Sequence, residues 1–301
     1  MTTERIAELI EAFDHFDQSY KRAELEEALT LREEITPHLL AILERLIADP
    51  DLYIAEAHYG NVYASALLSH FREPRAHQLL IRAFALSRDR LDPLWGDIVT
   101  ETFPVMLLNT CAGSIAGIQA LVLDRQADEY VRSSALSAIT FAVVANVISR
   151  REALDFFATL FDRSLAEEDS YFWLALAGSI EDLEGVELAN EVRALVADEL
   201  APEGEIAEWL LEEPQLDLFA DEPEVTLATL KEEMAYRVPE NIHGYCSWFG
   251  CFQENRPVRH FHDHDGPFLP GASLPKTNPK QKNKARKNRK LAKKSKRKNR
   301  K

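Results

Sequence analysis

Apolar residues four apart recur along this chain at an interval of about 40 residues. The pairs are Leu39/Leu43, Leu79/Ala83, Ile118/Val122, Phe156/Leu160 and Val192/Val196, and their first members are separated by 40, 39, 38 and 36 residues. An i,i+4 apolar pair marks the buried stripe of a helix. An acidic residue follows each pair at a similar offset: Asp49, Asp89, Asp124, Asp162 and Asp198, with Arg90, Arg125 and Arg163 next to three of them. A second helical pattern then follows, over 59–71, 96–109, 128–146 and 170–180. One such helix pair cannot bury both of its faces alone. Neighbouring pairs stacked side by side share one continuous core. The period therefore predicts an all-α chain, an α-solenoid of about five helix pairs.

The run from Asp124 to Asn146, DRQADEYVRSSALSAITFAVVAN, carries this logic most clearly. Asp128 is suited to cap a helix. Val131, Ala135, Ala138 and Ile139 fall on one stripe, and Ser133, Ser134, Ala135 and Ala138 are small enough for a neighbouring helix to approach. The order Asp-x-x-Val-Arg-x-x-Ala-x-x-Ala resembles the second helix of a HEAT-type repeat. Only 11 glycines in 301 residues disfavour a turn-dense all-β fold. Upstream, Ile6, Leu9, Ile10, Phe13 and Phe16 mark one helix face as an N-terminal cap, and Leu25, Leu29 and Leu31 resume it after a break near Ser19. Thr36-Pro37 predicts a helix start, because proline at the first helical position loses no hydrogen bond. The repeat domain is expected to span 1–235, with an acidic cap and linker over 200–235 punctuated by Pro202, Pro214 and Pro223.

The start, MTTERIAELIEAF, is acidic and amphipathic, unlike a secretory leader. The most apolar segment, 138–148, is too short to cross a bilayer and is interrupted by Thr140 and Asn146. Three cysteines without a framework fit a reducing compartment, so a cytoplasmic protein without membrane association is expected.

Charge divides the chain sharply. Pro275–Lys301 holds 15 Lys or Arg and no acidic residue; the other 20 basic and all 50 acidic residues lie upstream, so the body is near −30 and the tail +15. With Leu291 as the one large apolar residue of 276–301, the segment 271–301 is expected to be disordered. Its cations Lys280, Lys282, Lys284, Arg286, Lys287, Arg289, Lys290, Lys293, Lys294, Lys296, Arg297, Lys298, Arg300 and Lys301 are suited to phosphate backbones through counterion release. Without aromatic side chains the tail cannot stack on bases, which points to non-specific contact with RNA, the ribosome or another polyanion. Folding back onto the acidic body is the competing use of the same charges.

Between body and tail, 236–270 concentrates His243, Cys246, Cys251, His260, His262 and His264. Cys246, Cys251 and the three later histidines are candidate zinc ligands. Yet SWFGCFQ surrounds Cys251 with Trp248, Phe249 and Phe252, which favours an aromatic segment with buried, inert thiols packed on the solenoid. HFHDHD (260–265) lacks the strand context and the further ligands of a metallo-hydrolase. Gly113 and Gly117 lack the spacing of a dinucleotide loop, and no phosphate loop, nucleophile elbow or His-Glu-x-x-His helix occurs. The expectation is a non-enzymatic interaction protein without a cofactor, binding a protein partner on its helical surface. The alternatives are a metal-dependent enzyme or zinc protein using 243–264, and an acidic scaffold for a basic partner that its own tail inhibits.

Four stretches, LREEITPHLLAILER (31–45), LLSHFREPRAHQLLIRAF (67–84), DEYVRSSALSAI (128–139) and SWFGCFQ (247–253), resemble the bacterial family called domain of unknown function 1186. The resemblance spans roughly 20–253. It implies a HEAT-like helical domain and brings no catalytic residues. Relatives with a C-terminal zinc motif carry clustered Cys and a Gly-Ser-Gly-Lys turn, whereas here that place holds the Lys-rich tail, so zinc of that kind does not carry over.

Overall fold

Short polar side chains cap the starts of four helices of this protein, and left-handed residues follow several of them. The structure, a computed structural model, describes residues 2–15, 17, 19–197, 223–237 and 242–246, and no strand occurs among the described residues. The chain divides into two units, 1–255 and 256–301, and all the described residues belong to the first. The fold is all-α. Helices α1 (Thr2–Asp14), α2 (Arg22–Thr30), α3 (Arg32–Ala48), α4 (Pro50–Ala55), α5 (Gly60–His70), α6 (Ala76–Phe84) and α7 (Arg88–Trp95) form the first half. They are followed by α8 (Ile98–Glu101), α9 (Phe103–Thr110), α10 (Ala116–Leu123), α11 (Glu129–Val144), α12 (Arg150–Ala158) and α13 (Tyr171–Glu181). A 3₁₀ turn at Val186–Leu188 leads into α14 (Ala189–Ala197), and α15 (Pro223–Arg237) and α16 (Ile242–Cys246) complete the set.

Side-chain caps set several starts. Asp49 accepts from the Leu52 N–H with Pro50 at the first position of α4, Asp128 accepts from the Tyr130 N–H at α11, and Ser149 with Glu152 forms a capping box at α12. Two of the recurring acidic residues do identical work at a helix end. Asp124 and Asp162 each accept from the N–H two residues on, at 2.9 and 2.8 Å, turning the chain after α10 and α12.

Helices α3, α6 and α10 are neighbours in that order, and α5, α9, α11 and α13 are neighbours in theirs. Across the two series, α3 meets α5, α6 meets α9, α10 meets α11 and α12 meets α13. The expected stripe of α11 (Val131, Ala135, Ala138 and Ile139) is fully buried. Small residues do allow a close approach there: the Ser134 hydroxyl donates to the Val99 carbonyl at 2.6 Å. On the other series, Gly117 presses α10 onto α6, where an added Cβ would stand 2.8 Å from the His77 Nε2. Phe84 stacks between Trp95 and Phe103, at 4.0 and 3.8 Å between centroids, and fills the space between α6, α7 and α9.

Three sequence expectations require correction. Helix α3 begins at Arg32 and runs through Pro37, and the Thr36 hydroxyl donates to the Arg32 carbonyl at 2.6 Å instead of capping a start. The span 96–109 is two helices, because Thr102 leaves the helical region at φ −124° and Pro104 has no N–H with which to continue the ladder. At Leu79 and Phe156 the named residues are half-buried, and Leu80 and Phe157 take the fully buried places.

One repeated device had no sequence expectation behind it. Helices α5, α9, α11 and α13 are each followed by a left-handed residue: Arg72, Ala112, Asn146 and Glu184, with φ between 49° and 57°. After Arg72, Asn146 and Glu184 the next N–H reaches back to Leu68, Ala142 and Ile180 respectively, at 3.0, 2.9 and 2.9 Å, which closes a Schellman cap. Glycine normally holds this position, and a side chain there costs about 1 kcal/mol. Ala112→Gly is therefore expected to raise the unfolding free energy by about 0.5–1 kcal/mol, and Ala112→Val to lower it. Urea denaturation of the two variants checks the opposite signs.

Candidate functional site

Of the residues singled out for chemistry, His243 and Cys246 are described. Cys251, His260, His262, His264 and the tail cations from Lys276 to Lys301 lie outside the described residues. What is described is the surface on which the C-terminal helices rest. Helix α15 lies against α11 and α16 against α5, so the chain returns across the second helices of the pairs. Leu230 is buried there, and Leu227 and Met234 on the same stripe are half-buried. The Thr226 hydroxyl donates to Glu184 Oε1 at 2.8 Å, tying α15 to the cap of α13. Burial, and then the neighbouring Glu184, pushes the Glu181 carboxyl above its ordinary value.

Helix α16 buries Ile242, His243 and Cys246. The Tyr20 hydroxyl is 2.7 Å from His243 Nδ1, and His243 Nε2 is 3.1 Å from Glu26 Oε1. Burial, chiefly, raises the Tyr20 hydroxyl above its usual range, with Cys246 and Tyr63 adding to the effect, and the phenol stays protonated. The hydroxyl and Nδ1 share one hydrogen bond. Held this way, His243 is a structural relay between α2 and α16. No group of three His, Cys, Asp or Glu spaced for a metal occurs among the described residues. His243→Ala removes the hydrogen bond to the Tyr20 hydroxyl and opens a cavity, and is expected to cost about 2–3 kcal/mol. Chemical denaturation that leaves the midpoint unmoved would show that α16 contributes nothing to stability.

A second set of buried polar groups sits under α11. Arg132 is 97% buried as a residue, and its guanidinium donates to the Val122 and Leu165 carbonyls at 2.9 Å each and lies 4.0 Å from the Phe172 ring centroid. Burial pulls its pKa below the ordinary value. The Val-Arg dipeptide is visible in the sequence, but the carbonyls it serves are not. The Tyr20–His243 and Thr226–Glu184 contacts join residues 223 and 42 apart in the chain, and no local pattern announces them.

No helix among the described residues is long and apolar enough to cross a membrane. A family model described as "Protein of unknown function (DUF1186)" matches residues 4–253. An "Uncharacterized protein" of Chlamydia trachomatis is 32% identical over 179 residues, covering 59% of this chain and 71% of that protein. A second one, of Chlamydia muridarum, is 31% identical over 176 residues, covering 58% and 70%. No solved structure matches the chain.

Proposed function

The chain belongs to the DUF1186 family of proteins of unknown function, and from that premise we propose that it is a non-enzymatic, cytoplasmic interaction protein. Its paired helices act as a HEAT-like scaffold for a protein partner. Its tail adds non-specific affinity for RNA, the ribosome or another polyanion. The observation that carries this reading is the charge division, with 15 cations and no acid in 275–301 against a body near −30. Such a tail neutralises phosphates and releases counterions without reading sequence. Joined to a scaffold, it raises the effective concentration of one contact once the other has formed. The neighbour-to-neighbour order of the helices supports the scaffold, since each pair shares faces with the next.

The same charges favour a second reading, in which the tail lies on the acidic body and competes with a basic partner. Comparison of the full chain with a variant ending at 274 separates the two. Under the first reading, the shortened chain loses RNA affinity with its helical content unchanged. Under the second, it gains affinity for a basic protein. RNA binding that survives the cut intact removes the first reading.

A further inference from the structure

Several arginines in the described body sit against carboxylates, among them Arg5 on Glu27, Arg45 on Asp14, Arg90 on Asp51 and Arg150 on Glu187. Others, including Arg82, Arg125 and Arg132, do not, and Arg32 and Arg72 belong to this second group. Neither has a carboxylate within ion-pair distance, although the body around them is near −30. Arg32 is nonetheless held in place. Its guanidinium donates to the Phe71 carbonyl and lies 5.4 Å from the centroid of the buried Phe71 ring. The His70 ring meets the Phe71 ring edge-on at 6.1 Å, and Arg72 follows in the left-handed cap. The carboxylate next in the chain, Glu73, is chelated by Arg75 through both of its oxygens, at 2.7 and 3.1 Å.

The local field agrees with this geometry. Burial lowers the His70 pKa, and Arg32 and Arg72 lower it further. Although the body as a whole is acidic, the charges that act on this imidazole beside its burial are the two cations. The patch lies where the C-terminal end of α5 meets the first residue of α3, a helix start that no side chain caps.

We propose that Arg32, His70 and Arg72 form a binding site for a phosphate monoester. Arg32 presents a pinned guanidinium fork, Arg72 a second charge, and His70 a further donor. Two guanidinium groups and an imidazole match a tetrahedral dianion, whereas a single carboxylate leaves one arginine unmatched. A nucleic-acid strand would be repelled by the acidic surface around the patch, so the ligand is one phosphate group, on a small molecule or on a phosphorylated side chain. The site is independent of the tail and of the scaffold reading.

The test uses the full chain with labelled histidine, following the His70 imidazole by NMR and assigning it with His70→Gln. Phenyl phosphate is compared with acetate and with sodium chloride at matched ionic strength. A bound dianion favours the protonated imidazole, so the expected result is a saturable upward shift of the His70 titration with phosphate alone. Arg72→Gln, which touches no structural hydrogen bond of its side chain, is expected to weaken binding roughly tenfold. Arg32→Lys keeps the charge, loses the fork and falls between. A phosphoserine peptide that binds more tightly than phenyl phosphate identifies a phosphorylated partner, and equal binding identifies a small phosphate. A shift that chloride reproduces, or one that survives Arg72→Gln unchanged, overturns the site.

Discussion

Arg132→Ala is expected to lower the unfolding free energy by about 3–5 kcal/mol, the largest single effect available among the polar residues of the body. Three contributions add. The Val122 carbonyl lies at the C-terminal end of α10, where the helix leaves its last acceptors unpaired, and it loses its donor. The Leu165 carbonyl, in the turn before α13, loses its donor too. The stacked guanidinium also leaves a void against the fully buried Phe172 ring. Against these stands a gain: a buried cation with no carboxylate partner, and with one amino group unpaired, no longer has to be desolvated. Arg132→Met keeps the volume and takes that gain, so it is expected to cost about half as much as alanine. Lysine cannot span both carbonyls and should resemble alanine. If urea denaturation places all three variants within about 1 kcal/mol of the parent, the guanidinium does not hold these elements together.

Arg132 also shows how far local sequence reaches. Asp128 as a cap, the buried stripe of α11 and the helix pairs themselves follow from residues within a few turns of one another, and the structure contains them. The recurring Asp124 and Asp162 were visible as a period, although their work as turn acceptors was not. Where the reading failed, two local rules competed. Thr36-Pro37 looks like a helix start, but Arg32–Ile35 already form a first turn, so the proline falls inside the helix and the threonine bonds backwards. Leu79 and Leu80 both satisfy an apolar stripe, and only the neighbouring helix decides which is buried. The Schellman caps were hidden for a different reason. Their left-handed positions hold Arg72, Ala112, Asn146 and Glu184, of which only asparagine signals that conformation. Contacts such as Tyr20 with His243 depend on the whole chain having folded back, and no window of sequence contains both partners.

A peptide of residues 275–301 is expected to bind single-stranded RNA with a steeper salt dependence than the full chain. If about eight of its 15 cations engage phosphates, the slope of log K against log salt is near −6, a loss of roughly a thousandfold or more between 50 and 200 mM salt. In the full chain the same cations face a body near −30. At low salt that body competes for them most strongly, because its field extends about 30 Å at 0.01 M but only about 8 Å near physiological strength. Competition therefore weakens RNA binding most where it would otherwise be tightest, which flattens the slope of the full chain. The chain ending at 274 should show almost no RNA affinity and no slope. Equal slopes for peptide and full chain would mean that body and tail ignore one another, and the self-competition reading would fall while polyanion contact stood. A full chain that binds RNA no better than the version ending at 274, although the free peptide binds well, would mean the opposite: the acidic helices hold the tail, and RNA is not what it was made to meet.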